Sequence, residues 1–404
     1  MNSIDNPILL KDIEIYTASK IIKHGFIKIK NQKIIELGPL EDLADEEGFK
    51  TMEIPASYTA VPGFIDVHIH GVNGADVMDS TVEALETMSK ALPKEGTTSF
   101  LATTMTQAVV EIEKALQNAG EYISNRQSPG KAEVLGIHLE GPFVNANKAG
   151  AQPVHHIKDP DLKLFKSWES LSGGTIKLVT LAPEQPGGLE MIRYLKENGM
   201  IASIGHSDAT YEEVMDAIDA GANHVTHLYN QMRGLHHREP GVVGAAFLRN
   251  ELKAELIADG IHVRPEMAEL ALKQKSKDGL ILITDAMRAK CLKNGQYDLG
   301  GQDVTVENGK AVLADGTLAG SILKLGKAVT NMMSFTGCTL RDAIDMASSN
   351  PARQLNIYDR KGSIEAGKDA DIVILDENHE VFLTLCRGGI AYIRGGIQNE
   401  NNHS

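Results

Sequence analysis

The central part of the chain alternates short apolar runs with longer segments whose apolar residues recur at helical spacing. Short apolar runs bounded by turn residues predict buried strands, and their alternation with helices indicates βα units and a parallel sheet. Eight strands are predicted, at 64–70, 98–103, 134–140, 176–181, 201–206, 224–228, 254–258 and 280–284. Helices are predicted at 81–92, 108–123, 189–198, 211–220 and 265–275. This α/β pattern favours a closed (β/α)8 barrel of the TIM type over an open sheet.

The two ends of the chain have a different pattern. Short β-rich pieces occur at 13–17, 25–29 and 33–37, and again at 371–375, 381–386 and 390–393. Neither end alone buries much apolar surface, so we expect both to pair in one small β-domain. The predicted division is a catalytic barrel over 60–360 and a small domain built from 1–59 and 361–404. Helices at 321–335 and 340–347 would return the chain from one to the other.

The first predicted strand lies within the sequence Ala-Val-Pro-Gly-Phe-Ile-Asp-Val-His-Ile-His-Gly. Side chains of a strand alternate between faces, so Asp66, His68 and His70 share one face. Neutral imidazole is the commonest protein metal ligand, and a His-x-His pair at a strand end can hold one divalent ion. Two hydrogen-bonded surface histidines are the simpler explanation of so short a motif. The residues downstream decide between these interpretations.

Polar residues stand at the ends of several other predicted strands. A barrel places its catalytic groups at the carboxyl ends of its strands. The third strand ends with His138 and Glu140, the fifth with His206, the sixth with His227 and the eighth with Asp285. Each alone has a structural explanation, because Glu140 could cap a helix and His206 or His227 could hydrogen-bond in the core. Together they converge on one rim of the barrel.

The donor types at this rim suit a divalent metal ion, with zinc or iron favoured. The candidate ligands are His68, His70, Glu140, His206 and His227. Glu140 has two oxygens and could bridge two ions, so one or two ions per subunit are expected. Asp285 could be a ligand or a proton carrier outside the ligand shell. A nearby metal keeps such a carboxylate ionised and lowers the pKa of bound water. An ionised carboxylate beside an activated water is typical of a hydrolase.

Composition and charge limit the class of protein, its partners and its location. The 404 residues are 42% apolar and 23% charged, as in ordinary soluble enzymes. A net charge of −14 argues against nucleic acid and anionic membranes as partners. No apolar run reaches membrane-spanning length and the N-terminus lacks signal-peptide regions, so we expect a cytoplasmic protein. Cys291, Cys338 and Cys386 are far apart and suggest neither a disulfide framework nor a cysteine zinc site.

Several motifs together carry a family resemblance. They are Pro-Gly-Phe-Ile-Asp-Val-His-Ile-His-Gly, His-Leu-Glu-Gly-Pro-Phe, Gly-His-Ser-Asp-Ala-Thr, Thr-His-Leu-Tyr-Asn, Arg-Glu-Pro-Gly, Ile-Ala-Asp-Gly-Ile-His and Leu-Ile-Thr-Asp-Ala-Met. With them the chain resembles, nearly end to end, the N-acetylglucosamine-6-phosphate deacetylase family of the amidohydrolase superfamily. His-x-His indicates only the superfamily, whereas His-Leu-Glu-Gly-Pro and Thr-His-Leu-Tyr-Asn are more specific. The resemblance implies a TIM-type barrel with a flanking β-sandwich, usually as a homodimer.

The resemblance also implies roles for single residues. Glu140, His206 and His227 match the shared metal ligands, and His68 and His70 match a second metal site that some members have lost. The segments that match those holding the sugar include Ala151, Gln152, Asn230, Gln231, His262, Leu318, Ala319 and Gly320. Arg238 matches the phosphate ligand, which in such dimers can come from the neighbouring subunit.

One position departs from the family pattern. Some members carry a histidine where Gln152 stands. A glutamine can donate a hydrogen bond but cannot carry a proton, so an acid role is not expected there. We leave His138, His155 and His156 as structural residues or as supports behind the ligands.

The implied activity is hydrolysis of the acetamido group of N-acetyl-D-glucosamine 6-phosphate, with Asp285 as general base and then acid. Two alternatives stay open. Another amidohydrolase activity, on a non-phosphorylated cyclic amide or an N-acyl amino acid, would make 236–238 an ordinary solvated basic loop. A non-catalytic scaffold is disfavoured, because all five candidate ligands and Asp285 are present. The hypothesis of a phosphorylated substrate is favoured. Such a substrate needs charge-assisted donors, and the sequence has no Walker-type glycine loop that could take the place of Arg238.

Overall fold

The computed structural model describes residues 7–395. Its strands are β1 (Ile8–Tyr16), β2 (Ile21–Lys30), β3 (Lys33–Pro39), β4 (Lys50–Glu53), β5 (Thr59–Pro62), β6 (Phe64–Ile69), β7 (Gly71–Val72), β8 (Ala75–Asp76), β9 (Thr97–Thr103), β10 (Glu133–Glu140), β11 (Ile176–Leu181), β12 (Ile201–Ile204), β13 (His224–Val225), β14 (Lys253–Leu256), β15 (Leu280–Leu282), β16 (Gly295–Leu299), β17 (Gln302–Glu307), β18 (Lys310–Val312), β19 (Ile372–Leu375), β20 (Val381–Cys386) and β21 (Gly389–Ile393).

The α-helices are α1 (Val82–Ala91), α2 (Val109–Asn125), α3 (Leu162–Leu171), α4 (Gly188–Glu197), α5 (Tyr211–Ala220), α6 (Gly241–Leu248), α7 (Pro265–Lys275), α8 (Leu325–Thr336), α9 (Leu340–Ile344) and α10 (Asn350–Gln354). A single π-helical turn, Asp345–Ser349, joins the last two. All five helices predicted between the strands are present. The segments α3 and α6 are helices that the sequence pattern did not predict.

A parallel sheet of eight strands forms the centre of the molecule, in the order β15-β14-β13-β12-β11-β10-β9-β6. The sheet closes between its edge strands, because His70 N donates to Ala286 O at 2.9 Å and Asp285 N donates to His68 O at 2.8 Å. The residues of the barrel strands are almost wholly buried, as a barrel covered by helices requires. The predicted (β/α)8 barrel is therefore confirmed.

Several barrel strands end earlier than predicted, and three of them stop shortly before a predicted site residue. The predicted strands 201–206, 224–228 and 280–284 stop at Ile204, Val225 and Leu282. The chain then bends, and His206, His227 and Asp285 have φ values of 46°, 33° and 47°. A left-handed conformation is uncommon for residues other than glycine and is concentrated at functional sites. These three residues therefore lie on the barrel rim rather than within regular strand.

The two chain ends share one sheet of eight strands. Its order is β21-β20-β19-β5-β1-β2-β3, with β4 beside β1. The ends meet where β5 pairs antiparallel with β19. Ile13, Ile15, Ile372 and Leu385 belong to a buried cluster separate from the barrel core. The predicted joining of the two ends is confirmed. The boundaries near residues 60 and 360 stay a prediction, and their segments 1–6 and 396–404 lie outside the described residues.

A small antiparallel sheet, β16-β17-β18, was not predicted. Its hairpins turn at Gly300-Gly301 and Asn308-Gly309, where all four residues have positive φ. Such two-residue loops match the twist of the paired strands. Leu299 and Val304 pack with Met105 and Met287 beside the barrel mouth. The sheet therefore forms one wall near the predicted site.

Candidate active site

The carboxylate of Glu140 lies at the centre of a cluster at the barrel mouth. Its Oε1 is 3.2 Å from His206 Nε2 and 3.4 Å from His227 Nε2. The two Nε2 atoms are 3.1 Å apart. Two facing imidazole nitrogens and a carboxylate at these distances need a shared proton or cation between them. Glu140, His206 and His227 thus form one set of potential ligands.

A second set borders the first on the other side of Glu140. His70 Nε2 lies 3.3 Å from Glu140 Oε2 and 3.3 Å from Asp285 Oδ1. His68 Nε2 lies 3.4 Å from Glu140 Oε1 and 3.5 Å from Asp285 Oδ1. His68, His70 and Asp285 form this set. Because both histidines reach Glu140, its carboxylate stands between the two sets, as a bridging ligand would.

The residues present fit a divalent metal. His68 Nε2 is buried and has no hydrogen-bond partner among residues 7–395, although it points toward two carboxylates. The donors are imidazole nitrogens and carboxylate oxygens, the types that bind zinc and ferrous iron. An orphaned ring nitrogen in such a set is satisfied by a metal ion. Each of the two sets offers three donors.

Neighbouring groups fix the tautomers of two of these histidines. His206 Nδ1 lies 2.8 Å from Lys148 O, a carbonyl that can only accept, so Nδ1 carries the proton. His68 Nδ1 lies 2.9 Å from the carboxylate of Glu255 and carries its proton for the same reason. In both rings Nε2 then faces the cluster, and in the neutral ring it carries the lone pair. This is the usual arrangement behind metal-ligating histidines.

Without a bound ion, the charges of the cluster favour protonated His68 and His70 beside ionised Glu140 and Asp285. Burial lowers the pKa of His68, but Glu140, Asp285 and Glu255 together raise it well above its ordinary value. Burial also lowers the pKa of His70, and hydrogen bonds to Asp285 and Glu140 raise it to about 9. Burial raises the pKa of Glu140 and of Asp285, yet the imidazoles hold both below their usual range. Protons therefore compete with metal ions for these rings.

A cavity of about 260 Å³ opens over the cluster. Small-molecule sites are usually about 300–1,000 Å³, so this volume favours a small substrate. The residues that line it are His70, Met105, Glu140, Ala151, Gln152, His206, His227, Asn230, Gln231, His262, Asp285, Leu299, Thr317, Leu318 and Gly320. Nearly all predicted site residues thus meet here. His68 lies behind the lining, and Ala319 is buried between two lining residues.

Arg238 is the predicted site residue that the structure does not bring to the cavity. It is exposed on the loop before α6, where its Nη1 lies 2.8 Å from His237 Nε2. Within residues 7–395, the cavity lining contains neither lysine nor arginine. Apart from its histidines, the described part of a single chain therefore offers an anionic group of the substrate only neutral donors.

Two polar residues of the lining are held in place by neighbours. Thr106 N donates to Gln152 Oε1 at 2.8 Å, and Gln152 Nε2 donates to Glu140 Oε2 at 2.9 Å. His262 Nδ1 lies 2.7 Å from Asp259 Oδ2. Burial lowers the pKa of His262, but its hydrogen bond to Asp259 raises it overall. With Nδ1 engaged, Nε2 is the ring nitrogen of His262 that a substrate can reach.

The histidines left out of the predicted site lie outside the cavity lining. His138 is fully buried and its Nε2 lies 2.7 Å from Thr180 Oγ1. Burial, together with the charge of His68, lowers its pKa well below the ordinary value, so it is neutral. His155 and His156 lie on a short 3-10 turn. Neither reaches the cluster.

Sequence reasoning missed several residues around the site. Met105, Leu299 and Thr317 line the cavity, and Glu255 supports His68 from below. A signal for Leu299 was available, because Gly-Gly and Asn-Gly between β-rich pieces predict hairpins. Glu255 is a charged residue inside an apolar strand, which is a weaker signal of a buried partner.

A closed parallel barrel with imidazole and carboxylate ligands at its carboxyl rim defines a metal-dependent hydrolase of the barrel type. The model of the amidohydrolase family matches residues 59–394. The chain therefore belongs to the amidohydrolase family.

Three individual proteins are similar to this chain over most of its length. The chain is 51% identical over 387 residues to an N-acetylglucosamine-6-phosphate deacetylase of Bacillus subtilis (strain 168), covering 96% of this chain and 97% of the relative. It is 40% identical to an N-acetylgalactosamine-6-phosphate deacetylase of Escherichia coli O157:H7, covering 82% of this chain and 87% of the relative. A mutant N-acetyl-D-glucosamine-6-phosphate deacetylase from Mycobacterium smegmatis, solved with N-acetyl-D-glucosamine-6-phosphate, superimposes with a TM-score of 0.88 at 29% identity, over 96% of this chain and 99% of that one.

Proposed function

We propose that the protein hydrolyses N-acetyl-D-glucosamine 6-phosphate to D-glucosamine 6-phosphate and acetate, in amino-sugar catabolism and recycling. The observation that carries this proposal is the pair of ligand sets sharing Glu140 beneath a cavity of about 260 Å³. The relative at 51% identity supports this substrate over a cyclic amide or an N-acyl amino acid. That similarity extends over 96% of this chain and 97% of the relative.

The metal is proposed to be zinc or ferrous iron, as one or two ions per subunit. Glu140, His206 and His227 would hold one ion, and His68, His70 and Asp285 with Glu140 would hold a second. A bound divalent ion supplies a lower pKa for water and polarisation of the acetamide carbonyl. The chain contributes fixed tautomers at His68 and His206 that present Nε2 to the ion.

Asp285 is proposed to carry the proton through the reaction. Its pKa is held low, so it is ionised and can accept a proton from the attacking water. The acetyl carbon gains the water oxygen, and His262, which lines the cavity, would donate to the tetrahedral oxyanion. Asp285 then gives its proton to the sugar nitrogen as the C–N bond breaks. Water and the amide thus become acetic acid and the free amine, which exchange one further proton to give acetate and an ammonium group, and Asp285 returns to its starting state.

A phosphate is bound well by the charge-assisted donors of arginine, and within residues 7–395 the cavity of one chain contains neither arginine nor lysine. We therefore propose a homodimer in which Arg238 of the partner subunit binds the phosphate. The exposed position of Arg238 supports a role outside its own cavity. Leu235 and Leu248, on either side of Arg238 in the sequence, are 59% and 63% exposed. Large exposed apolar side chains close together favour a surface that a second copy covers.

The cellular setting is proposed to be the cytoplasm. No helix within residues 7–395 is both long enough and apolar enough to cross a membrane. The net charge of −14 disfavours nucleic acid and anionic membranes as partners. The partners that we propose are the small phosphorylated sugar and a second copy of the chain.

Acetate release from N-acetylglucosamine 6-phosphate, with and without a chelator, tests the proposal. We expect release that the chelator abolishes and added zinc or ferrous iron restores. N-acetylglucosamine without the phosphate should react far more slowly, and equal rates would reject a phosphate anchor. N-acetylgalactosamine 6-phosphate, the C4 epimer, should be tested beside it, because the relative at 40% identity is a deacetylase of that sugar phosphate. Faster turnover of the epimer would overturn the proposed sugar while leaving the reaction intact.

A further inference from the structure

Glu255 is a buried carboxylate that contacts both sets of ligands. It lies on β14 with no exposed surface. Its Oε2 lies 2.9 Å from His68 Nδ1 and accepts a hydrogen bond from His227 N at 3.0 Å. Its Oε1 lies 3.1 Å from His224 Nε2. One carboxylate thus receives three donors, two of which belong to residues of the metal cluster.

Each contact fixes a different property of the cluster. The contact with His68 Nδ1 sets the ring tautomer and leaves the buried Nε2 as the metal-facing atom. The contact with His227 N holds the backbone where the chain leaves β13 with φ 33°. His68 belongs to one ligand set and His227 to the other. Loss of the carboxylate would therefore release a side chain of one set and a backbone position of the other.

We propose that Glu255 is a positioning residue that presets both halves of the metal centre before any ion binds. This inference rests on the metal centre of the proposed function but does not depend on the sugar. The alternative role for a carboxylate in this place is only to partner the ring of the buried His224. Such a role would affect folding stability alone and would leave metal affinity unchanged.

The test compares metal binding by the full-length, chelator-treated protein and two variants. Glu255→Gln keeps the size of the side chain but cannot accept from all three donors. We expect its dissociation constant for Zn²⁺, measured by competition with a chromophoric chelator, to rise about 10- to 100-fold. Glu95→Gln is the matched control, because Glu95 is also buried and paired, with Lys290, away from the cluster. Its zinc affinity should equal that of the parent, whatever its melting temperature.

Parental zinc affinity in folded Glu255→Gln would overturn the inference, as would equal weakening in Glu95→Gln. Where Glu255→Gln does not fold, Glu255→Asp withdraws the carboxylate by one methylene and is judged by the same affinity. A crystal structure of the zinc-loaded parent is the check that needs no variant. There we expect a Glu255 oxygen within about 3 Å of His68 Nδ1, and a carboxylate turned away would overturn the inference. A parent that binds no metal would instead reject the metal centre itself.

Discussion

Gln152 Nε2 donates a hydrogen bond of 2.9 Å to Glu140 Oε2, the oxygen that faces His70. The amide cannot be turned around, because Thr106 N donates to Gln152 Oε1 on its other side. The Glu140 carboxylate is therefore held with Oε2 toward His70 and with Oε1 toward His206, His227 and His68. A glutamine serves this purpose without carrying a proton, which fits the absence of an acid role expected at this position.

Substitution of Gln152 should disturb the cluster through Glu140. We expect Gln152→Ala to lower kcat/KM about 10-fold or more, because Glu140 loses its donor and Thr106 N its acceptor. Gln152→Glu is nearly isosteric but sets a second carboxylate against Glu140, so its loss should be larger. Rates of acetate release, together with metal content by mass spectrometry, measure both effects. Full activity in Gln152→Glu would show that this contact has no influence on Glu140.

Asp285→Asn should separate proton transfer from folding. The amide keeps the shape of the side chain but cannot accept a proton at neutral pH. We expect kcat to fall by about 10²- to 10⁴-fold, the usual contribution of a general base. The variant should melt near the parental temperature and retain metal at Glu140, His206 and His227. Near-parental turnover would remove Asp285 from the proposed mechanism.

Much of the barrel was predictable because the pattern that identifies each strand lies within a few consecutive residues. Parallel strands covered on both faces are continuous aliphatic runs, so all eight were found. The period of two in a strand places His68 and His70 on one face without any tertiary information. Positions at the ends of strands converge in this fold, which brought Glu140, His206 and Asp285 together in the prediction.

The remaining features depend on contacts that periodicity does not encode. His68 and Glu255 are 187 residues apart, and no spacing rule connects them. The strand ends at His206 and His227 were placed too far along the chain, because a left-handed turn at a histidine has no sequence signature comparable to glycine. Arg238 lies outside the cavity because the loop before α6 places it on the surface. The short basic run at 236–238 does not predict which way that loop points.

The metal-free protein should lose stability as pH rises from 6.5 to 8. The pKa of His70 is about 9 in the folded chain and 6.5 ordinarily, because the carboxylates of Asp285 and Glu140 outweigh its burial. Its stabilising contribution is complete below pH 6.5 and is lost as pH rises through the folded value. Burial lowers the pKa of Lys275 to about 8. This lowered pKa increases the stability of the folded chain as pH rises above 8, so the comparison ends at pH 8.

Thermal melts of chelator-treated protein at pH 6.5 and 8 measure this loss, expected to be on the order of 1 kcal/mol. His70→Asn removes the titrating ring and should flatten the dependence. Protein loaded with zinc should also show a flatter dependence, because the ion takes the place of the proton. A metal-free melting temperature that stays constant or rises over this interval would contradict the raised pKa of His70.

Mixing two inactive variants tests whether Arg238 serves the neighbouring cavity. Asp285→Asn lacks the base and Arg238→Ala lacks the phosphate ligand, so each homodimer should be nearly inactive toward the phosphorylated sugar. In a mixed dimer, the subunit that keeps Asp285 receives the intact Arg238 of the partner subunit. Random exchange makes half the dimers mixed, with one complete cavity each, so activity should return to about a quarter of the parental value. If Arg238 served its own cavity, both cavities of the mixed dimer would be defective and no activity would return.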